Sequence, residues 1–469
     1  MRITFYGAAE NVTGSKHLIE TKDGFRLLLD CGFHQGHRKE AEELNRHLPF
    51  EASSINAVIL SHAHLDHCGL LPLMVKEGFA GPIYATPATA DVARYMLEDS
   101  TDIQVSDAEY LNRHLAPGQD PIEPLYTEED CAAALKLFVP VQYAKQGHGF
   151  KQVSEHIRFK LYDAGHILGS AVTFLEIREN KKQQTLAFTG DLGKKHASIL
   201  CDPEYIAEPV DTLLLEATYG DRLHEPPKDT ERVVQEAIEY AIKHQSRILV
   251  PAFALGRTQE LIYLLHKLFN RHGFPQIPVY LDSPLAIEVT EVFKRHRDVF
   301  DSQTWRDFDR ADNLPLVFDL LSYTRTRNES MQLNDVPCPV MIIAGSGMME
   351  AGRIRHHLKH HIQDPHTTIM ITGYQAANTL GRRIQEGVKR VNILNRQYRV
   401  RARIVTVPSL SAHADQRELL DYVAHTKGIK QVYLVHGERD SMTTLSECIG
   451  SADQGINTVI PRRGEGFDL

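Results

Sequence analysis

The chain has 469 residues, a net charge of −9 and a hydrophobic fraction of 42%. That length exceeds one compact core and predicts two or three domains. The acidic balance excludes nucleic-acid binding through the overall field, though not through a local basic groove, and no run of about twenty apolar residues offers a membrane span.

Met1 to Gly7 enter a strand pattern without a signal sequence, and the six cysteines (Cys31, Cys68, Cys131, Cys201, Cys338, Cys448) contain no CxxC pair. A cytoplasmic protein with reduced thiols is expected. Short strands are predicted at 2–6, 16–20, 25–30 and 56–61, then a helix from about Gly69 through Val75. A strand at 82–85 and a helix at 88–98 follow, and the polar, proline-bearing stretch 99–130 reads as a surface excursion. Strands resume at 157–162, 171–177 and 185–189. From about Asp211 apolar runs alternate with helices, 247–251 with 258–269, 279–282 with 284–295 and 340–344 with 352–362, the pattern of βα units around a parallel sheet. Basic strands between 392 and 407, a helix after Asp415 and a strand at 431–435 close the chain.

Several of these strands end in chemically active residues: Asp30, Ser61-His62, Asp191, Glu216, Asp282 and His436. Ligands bind beyond the carboxyl ends of strands in such sheets, so a single cleft is the simplest expectation. The densest of these ends is Ser61-His62-Ala63-His64-Leu65-Asp66-His67. Helix capping needs no such concentration of imidazoles, whereas imidazole and carboxylate suit zinc or a similar first-row ion. His62 and His64 can converge on one ion while Asp66 and His67 turn to a second. Two ions need further ligands, and His166 and Asp191, each in a glycine-bearing segment, are candidates. Cys68 directly follows the cluster, but the histidines already fill the site.

With Asp30, the His-x-His-x-Asp-His signature, His166 and Asp191 in this order, the chain resembles the metallo-β-lactamase superfamily. The resemblance implies a four-layer αβ/βα sandwich with a two-metal site. Ala63 favours zinc hydrolysis, since members holding two irons for redox chemistry have glutamate there. The second half carries Leu215-Glu216-Ala217-Thr218-Tyr219-Gly220, Pro251 to Glu260, Asp282-Ser283-Pro284, Gly345 to Arg353, Thr372-Gly373-Tyr374-Gln375, Ser411 to Asp415 and Val435 to Glu438. These segments are similar to the β-CASP nucleases, in which a further α/β domain is inserted into the metallo-β-lactamase fold. Within that branch the chain is nearer the cleavage-and-polyadenylation endonuclease type than ribonuclease J, lacking the latter's extra C-terminal domain. The expected division is 1–215 and 391–469 for the metallo-β-lactamase domain and 216–390 for the β-CASP domain. The resemblance implies two Zn2+ per chain, one on His62, His64, His166 and Asp191, the other on Asp66, His67, His436 and the shared Asp191. Asp30 would brace the histidine loop, and Glu216 would orient His413 as a proton donor beside the scissile phosphate.

The expected activity is zinc-dependent hydrolysis of single-stranded RNA, endonucleolytic with a 5′-exonucleolytic mode open. DNA, a small-molecule substrate and a scaffold role beside an active relative are the competing readings, and a homodimer is open. For phosphate binding the candidates are the turn Gly345-Ser346-Gly347, with Arg257, Arg353 and Tyr374. Arg382 to Arg403 contains eight basic residues against one acidic, Glu386, and reads either as a solvated hairpin face or as a phosphate-tracking wall. Tyr219, Phe253 and Tyr374 are candidates for stacking on bases, with core packing the alternative. His356, His357, His360 and His361 have helical metal-ligand spacing, but Arg353, Arg355 and Lys359 on the same helix favour a polar face or phosphate contact.

Overall fold

The computed structural model describes residues 1–35, 38–115, 119–146, 148–179, 182–224, 230–271, 273–308, 316–373, 375–376, 378–407 and 412–469. They form two units, 1–223 with 413–469, and 224–412.

The first unit contains two seven-stranded sheets. One runs in the order Glu465–Asp468, Arg2–Phe5, His17–Glu20, Arg26–Leu29, Ala57–Ile59, Ile83–Ala85, Phe138–Pro140. The other runs Asn457–Val459, Gln431–Val435, Thr212–Glu216, Lys182–Phe188, Ala171–Glu179, Ile157–Asp163, Lys151–Gln152. Each is antiparallel toward one edge and parallel toward the other. Rings from the two sheets pack against one another between them, Phe5 with Tyr433 and Tyr84 with Phe159 tilted and His17 with Phe188 edge-on, with centroids 5.1–5.4 Å apart. Helices cover the outer faces. Leu419, Tyr422 and Val423 of Gln416–His425 and Met442, Leu445 and Ile449 of Arg439–Ala452 are buried with Leu213, Leu215, Val432 and Leu434 of the second sheet. This is the expected four-layer sandwich. The inner parallel strands Ala57–Ile59 and Ile83–Ala85 are apolar throughout and buried, as strands covered on both faces must be.

The second unit is built on a six-stranded parallel sheet in the order Leu321–Tyr323, Val279–Asp282, Val340–Ala344, Arg247–Pro251, Thr368–Ile371, Arg403–Thr406. The helices Arg257–Phe269, Pro284–Arg295 and Ile354–His361 follow its strands in the anticipated βα rhythm. No helix among the described residues is long and apolar enough to cross a membrane.

Two expectations are corrected. The helix predicted for 88–98 is Pro87–Asn112, capped by the Thr86 side chain. It runs on through the polar stretch because neither glycine nor proline interrupts it, and Thr101 and Ala108 on its inner face are buried. The inserted unit also extends past 390. Arg403–Thr406 is hydrogen-bonded to Thr368–Ile371 and so completes the second unit's sheet; the boundaries lie near 223 and 413, not 215 and 391.

Candidate metal centre

The strand ends of the first unit bring the histidine loop to its partners. Asp30, at the end of Arg26–Leu29, is fully buried and has φ +60°, a conformation that only surrounding contacts hold in a non-glycine residue. Those contacts are the loop itself. Asp30 Oδ1 accepts from Ser61 N (2.7 Å), and Oδ2 accepts from Ser61 Oγ (2.9 Å), Ser15 Oγ (3.1 Å) and His67 Nδ1 (2.7 Å). Fixing the proton on His67 Nδ1 turns the Nε2 lone pair toward the site, which is the bracing role expected of this aspartate. Gly32 lets the loop pass close by, since a Cβ there would lie 1.7 Å from Asp66 O.

His166 and Asp191 arrive on two loops that touch. Gly193 N donates to Ala164 O (2.8 Å), and a Cβ at 193 would meet Gly165 O at 1.8 Å. Gly193 also bridges to His413 in antiparallel fashion, and Ala414 N donates to Leu192 O, so one glycine-bearing turn places Asp191 beside both His166 and His413. His436 follows Gln431–Val435 at φ +50°, held by its N–H to Ala8 O (2.7 Å).

The donor atoms fall into two groups, His62, His64, His166 and Asp191, and Asp66, His67 and His436. In the first, His64 Nδ1 lies 3.1 Å from His62 Nε2 and 3.3 Å from His166 Nε2. In the second, His67 Nε2 and His436 Nε2 are 3.2 Å apart, and Asp66 Oδ2 is 3.5 Å from His436 Nε2. Asp191 joins them: its Oδ2 lies 3.5 Å from both His62 Nε2 and His67 Nε2 and 3.6 Å from His166 Nε2. Asp191 Oδ1 is buried and accepts no hydrogen bond. Facing imidazole nitrogens and an unsatisfied buried carboxylate oxygen are unfavourable without a cation between them. A tetrahedral ion with ligands at about 2.0–2.1 Å spaces its donors about 3.3 Å apart, so the residues present fit a divalent metal.

The electrostatics of the two groups differ: although burial opposes the shift, Asp191 and Asp30 hold the His67 imidazole well above its ordinary value, whereas His62 and His64 go the other way. Burial, followed by the neighbouring His67, drives the His62 imidazole well below its ordinary value; burial lowers His64 to about 4 against the pull of Asp66 and Asp191. Both are neutral, as ligands must be. Burial pushes the Asp191 carboxyl up, but His436, His67 and His62 outweigh it and hold the group well below the carboxylate range.

Beside these groups stands His413, with Nδ1 3.1 Å from Glu216 Oε1. Glu216 is fully buried at the end of Thr212–Glu216 and pinned by Leu192 N (2.8 Å) on Oε1 and Thr218 N (3.1 Å) on Oε2. Burial lowers the His413 pKa, and Glu216, with Asp191 behind it, more than restores it, leaving a net rise. Cys68 is turned away, its Sγ donating to Ala63 O.

Three positions that hold this site had no role assigned to them from sequence. Ser61 Oγ stands 3.0 Å from His62 Nδ1, Ser15 supports Asp30, and Thr218 Oγ1 lies 3.2 Å from His436 Nδ1. Ser61 and Thr218 adjoin recognisable motif residues, which was the available signal. Ser15 carries none.

The family follows from comparison at this point. Residues 18–202 match the metallo-beta-lactamase superfamily domain, 258–384 the Beta-Casp domain and 397–461 the Zn-dependent metallo-hydrolase RNA specificity domain. A ribonuclease from Thermus thermophilus is 36% identical over the whole of both chains. The chain belongs to the β-CASP nuclease branch of the metallo-β-lactamase superfamily. Other relatives, from Methanocaldococcus jannaschii, are an RNase J-like protein, 29% identical over 98% of both chains, and the transcription termination factor FttA, 30% identical over 97% of this chain and 68% of its own.

The phosphate candidates in the inserted β-CASP unit fare differently. Arg353 turns inward: Nη1 bonds Asp282 Oδ1 (2.8 Å) and Thr324 O (3.0 Å), and Nη2 bonds Arg325 O (2.8 Å). Asp282 is fully buried and also accepts from His357 Nε2 (2.7 Å), Ser330 Oγ (2.6 Å) and Thr324 Oγ1 (2.5 Å). Arg353, expected to contact phosphate, is thus engaged in an ion pair with Asp282, which is the centre of this buried network. His361 Nε2 and His357 Nδ1 both contact Asn334 Oδ1, which accounts for two of the four helix histidines without metal. Arg257 pairs with Glu260 (3.2 Å). In the 345–347 turn, Ser346 Oγ bonds Ala351, and a Cβ at Gly347 would strike the Phe253 ring at 2.5 Å, so packing explains that glycine. Phe253 is nonetheless 37% exposed. Tyr219 lies edge-on to His413 with centroids 6.0 Å apart. Tyr374 lies outside the described residues.

The Asp282 network yields a pH prediction. Although burial opposes it, hydrogen bonds from His357, Ser330, Thr324 and Arg353 depress the Asp282 carboxyl to about 2. A depressed carboxyl contributes stability above its unfolded pKa, near 4, which is lost as pH falls toward 2. The contribution is about 2–3 kcal/mol. The difference in unfolding free energy between wild type and Asp282→Asn, measured by chemical denaturation, should shrink from pH 4 to pH 2; a constant difference would remove the ionised carboxylate as its source.

Proposed function

We propose that this β-CASP protein is a metal-dependent ribonuclease that cleaves phosphodiester bonds of single-stranded RNA endonucleolytically, holding two zinc ions. The observation that carries the reading is the single atom Asp191 Oδ2, within 3.5–3.6 Å of imidazole nitrogens from both donor groups. His62, His64 and His166 would hold one ion and Asp66, His67 and His436 the other, with Asp191 shared. When bound, such a pair supplies a water acidic enough to ionise near neutral pH and positive charge against a phosphodiester. The remaining task falls to the chain. The leaving oxygen needs a proton, and His413 is held beside the metal ligands by Glu216, its Nδ1 committed to that carboxylate. Delivery then passes through Nε2, with Glu216 stabilising the cationic ring. Glu216 is itself fixed by two backbone amides, so the donor is oriented before substrate arrives. The names of the ribonuclease and RNase J-like relatives, and the RNA specificity domain match, support RNA as substrate.

Zinc-loaded protein should release internal fragments from 5′-labelled single-stranded RNA and leave a matched DNA intact, while Asp66→Ala abolishes cleavage. Equal cleavage of both strands would replace the RNA assignment, release of mononucleotides alone would replace the endonucleolytic one, and undiminished activity in Asp66→Ala would remove the two-metal mechanism.

A further inference from the structure

The hairpin Arg390–Ile393 and Arg396–Arg399 presents a charge pattern that folding alone does not favour. Val391 and Ile393 are buried in the second unit's core with Leu380 and Ile384, so packing fixes the hairpin from one side. On the other side the register sets Arg390 opposite Arg399 and Asn392 opposite Gln397, all four exposed. Like charges directly across an antiparallel pair repel and destabilise it. Lys389, Arg396 and Arg401 are also exposed, although Arg396, opposite Ile393, belongs to the other strand face.

These five cations are left uncompensated in a chain of net charge −9. Among the described residues none of the five makes an ion pair, and Arg390 bonds only the amide oxygen of Gln397 (3.3 Å). Arg382, on the preceding short helix, does pair with Glu386. The patch also has no apolar centre: none of the exposed large hydrophobic side chains lies on it. Protein interfaces are built around such a centre, whereas nucleic-acid backbones are held by arginine, lysine and amide side chains.

We infer that this hairpin is a wall, separate from the metal-ligand residues, that binds the phosphodiester backbone of single-stranded RNA. The inference rests on RNA being the substrate, as proposed above. The cost of opposing Arg390 and Arg399 is recovered when phosphates lie between them. Such a wall gives length-dependent, salt-sensitive binding and no base specificity.

The test uses the full chain loaded with zinc, in a His413→Ala background so that RNA survives the measurement. Fluorescence anisotropy is read with labelled single-stranded RNAs of about 25 and about 5 nucleotides across a salt series. Arg390→Ala with Arg399→Ala should weaken the long RNA about tenfold near 0.1 M salt and flatten the plot of log K against log salt by about 1.4, roughly 0.7 per lost phosphate contact. The short RNA should change less than about twofold. Arg390→Lys with Arg399→Lys should keep the wild-type slope, which separates charge from any local misfolding. Unchanged affinity and slope in the alanine variant, with the parent still binding RNA, would overturn the wall and leave the ribonuclease reading standing. A parent that binds no RNA of either length would overturn both.

Discussion

Asp191→Asn is expected to lower phosphodiester hydrolysis by at least about 10³-fold and to strip metal from both donor groups. The expectation follows from one atom. Asp191 Oδ2 is within 3.5–3.6 Å of His62, His67 and His166, so it is the only carboxylate oxygen common to the two groups among the described residues. An amide keeps the shape but removes the charge and one acceptor. The positive charge of two ions would then rest on Asp66 and five neutral imidazoles. Metal content per chain, measured by mass spectrometry after exhaustive dialysis, should fall well below that of the wild type, with unchanged circular dichroism. Two retained equivalents with near wild-type turnover would refute the shared-ligand assignment.

His413→Ala should behave in the opposite way toward metal. Its Nδ1 is bound to Glu216 and lies 4.0 Å from Asp191 Oδ2, outside the two groups of nitrogens that face one another. It nevertheless could form a third donor group with Asp191 and Glu216. If it donates a proton, the variant keeps its full metal content while turnover drops about 10²-fold or more. If it is a ligand, metal is lost together with activity. Glu216→Gln sharpens the choice: the amide still accepts from Leu192 and can hold the imidazole, but it no longer stabilises the cationic ring. Turnover should fall with metal retained. Loss of zinc in His413→Ala would move this residue into the ligand set and end the proton-donor assignment.

How much of this was legible in sequence depended on whether a residue's role is set locally. The six-residue span His62 to His67 declares metal chemistry because no capping or packing requirement accounts for three imidazoles and a carboxylate at that density. The βα rhythm of the inserted unit was equally plain, since fully covered parallel strands must be apolar on both faces. Arg353 shows what local reading leaves out. A basic side chain after a glycine-rich turn looks like a phosphate ligand, yet the buried carboxylate that claims it, Asp282, lies 71 residues earlier. Burying that carboxylate without Arg353 and His357 would be costly, and the sequence does not display which charges are buried. The same holds for Arg403–Thr406, whose basic strand looked terminal and proved to complete the inserted sheet.

By themselves, then, residue type and spacing pointed to His62, His64, Asp66, His67, His166 and Asp191 as candidate ligands and to the alternation of strands and helices, while His436 and the branch of the superfamily came from the resemblance that whole segments carry. Only the tertiary structure decided that Asp191 Oδ2 is common to both donor groups, that Asp30 fixes the His67 tautomer with Ser61 and Ser15, and that Arg390 faces Arg399 without a counter-ion. Each of those facts is a distance between residues far apart in the chain or a strand register. Such distances follow from which surfaces are buried together, and burial is a property of the whole fold.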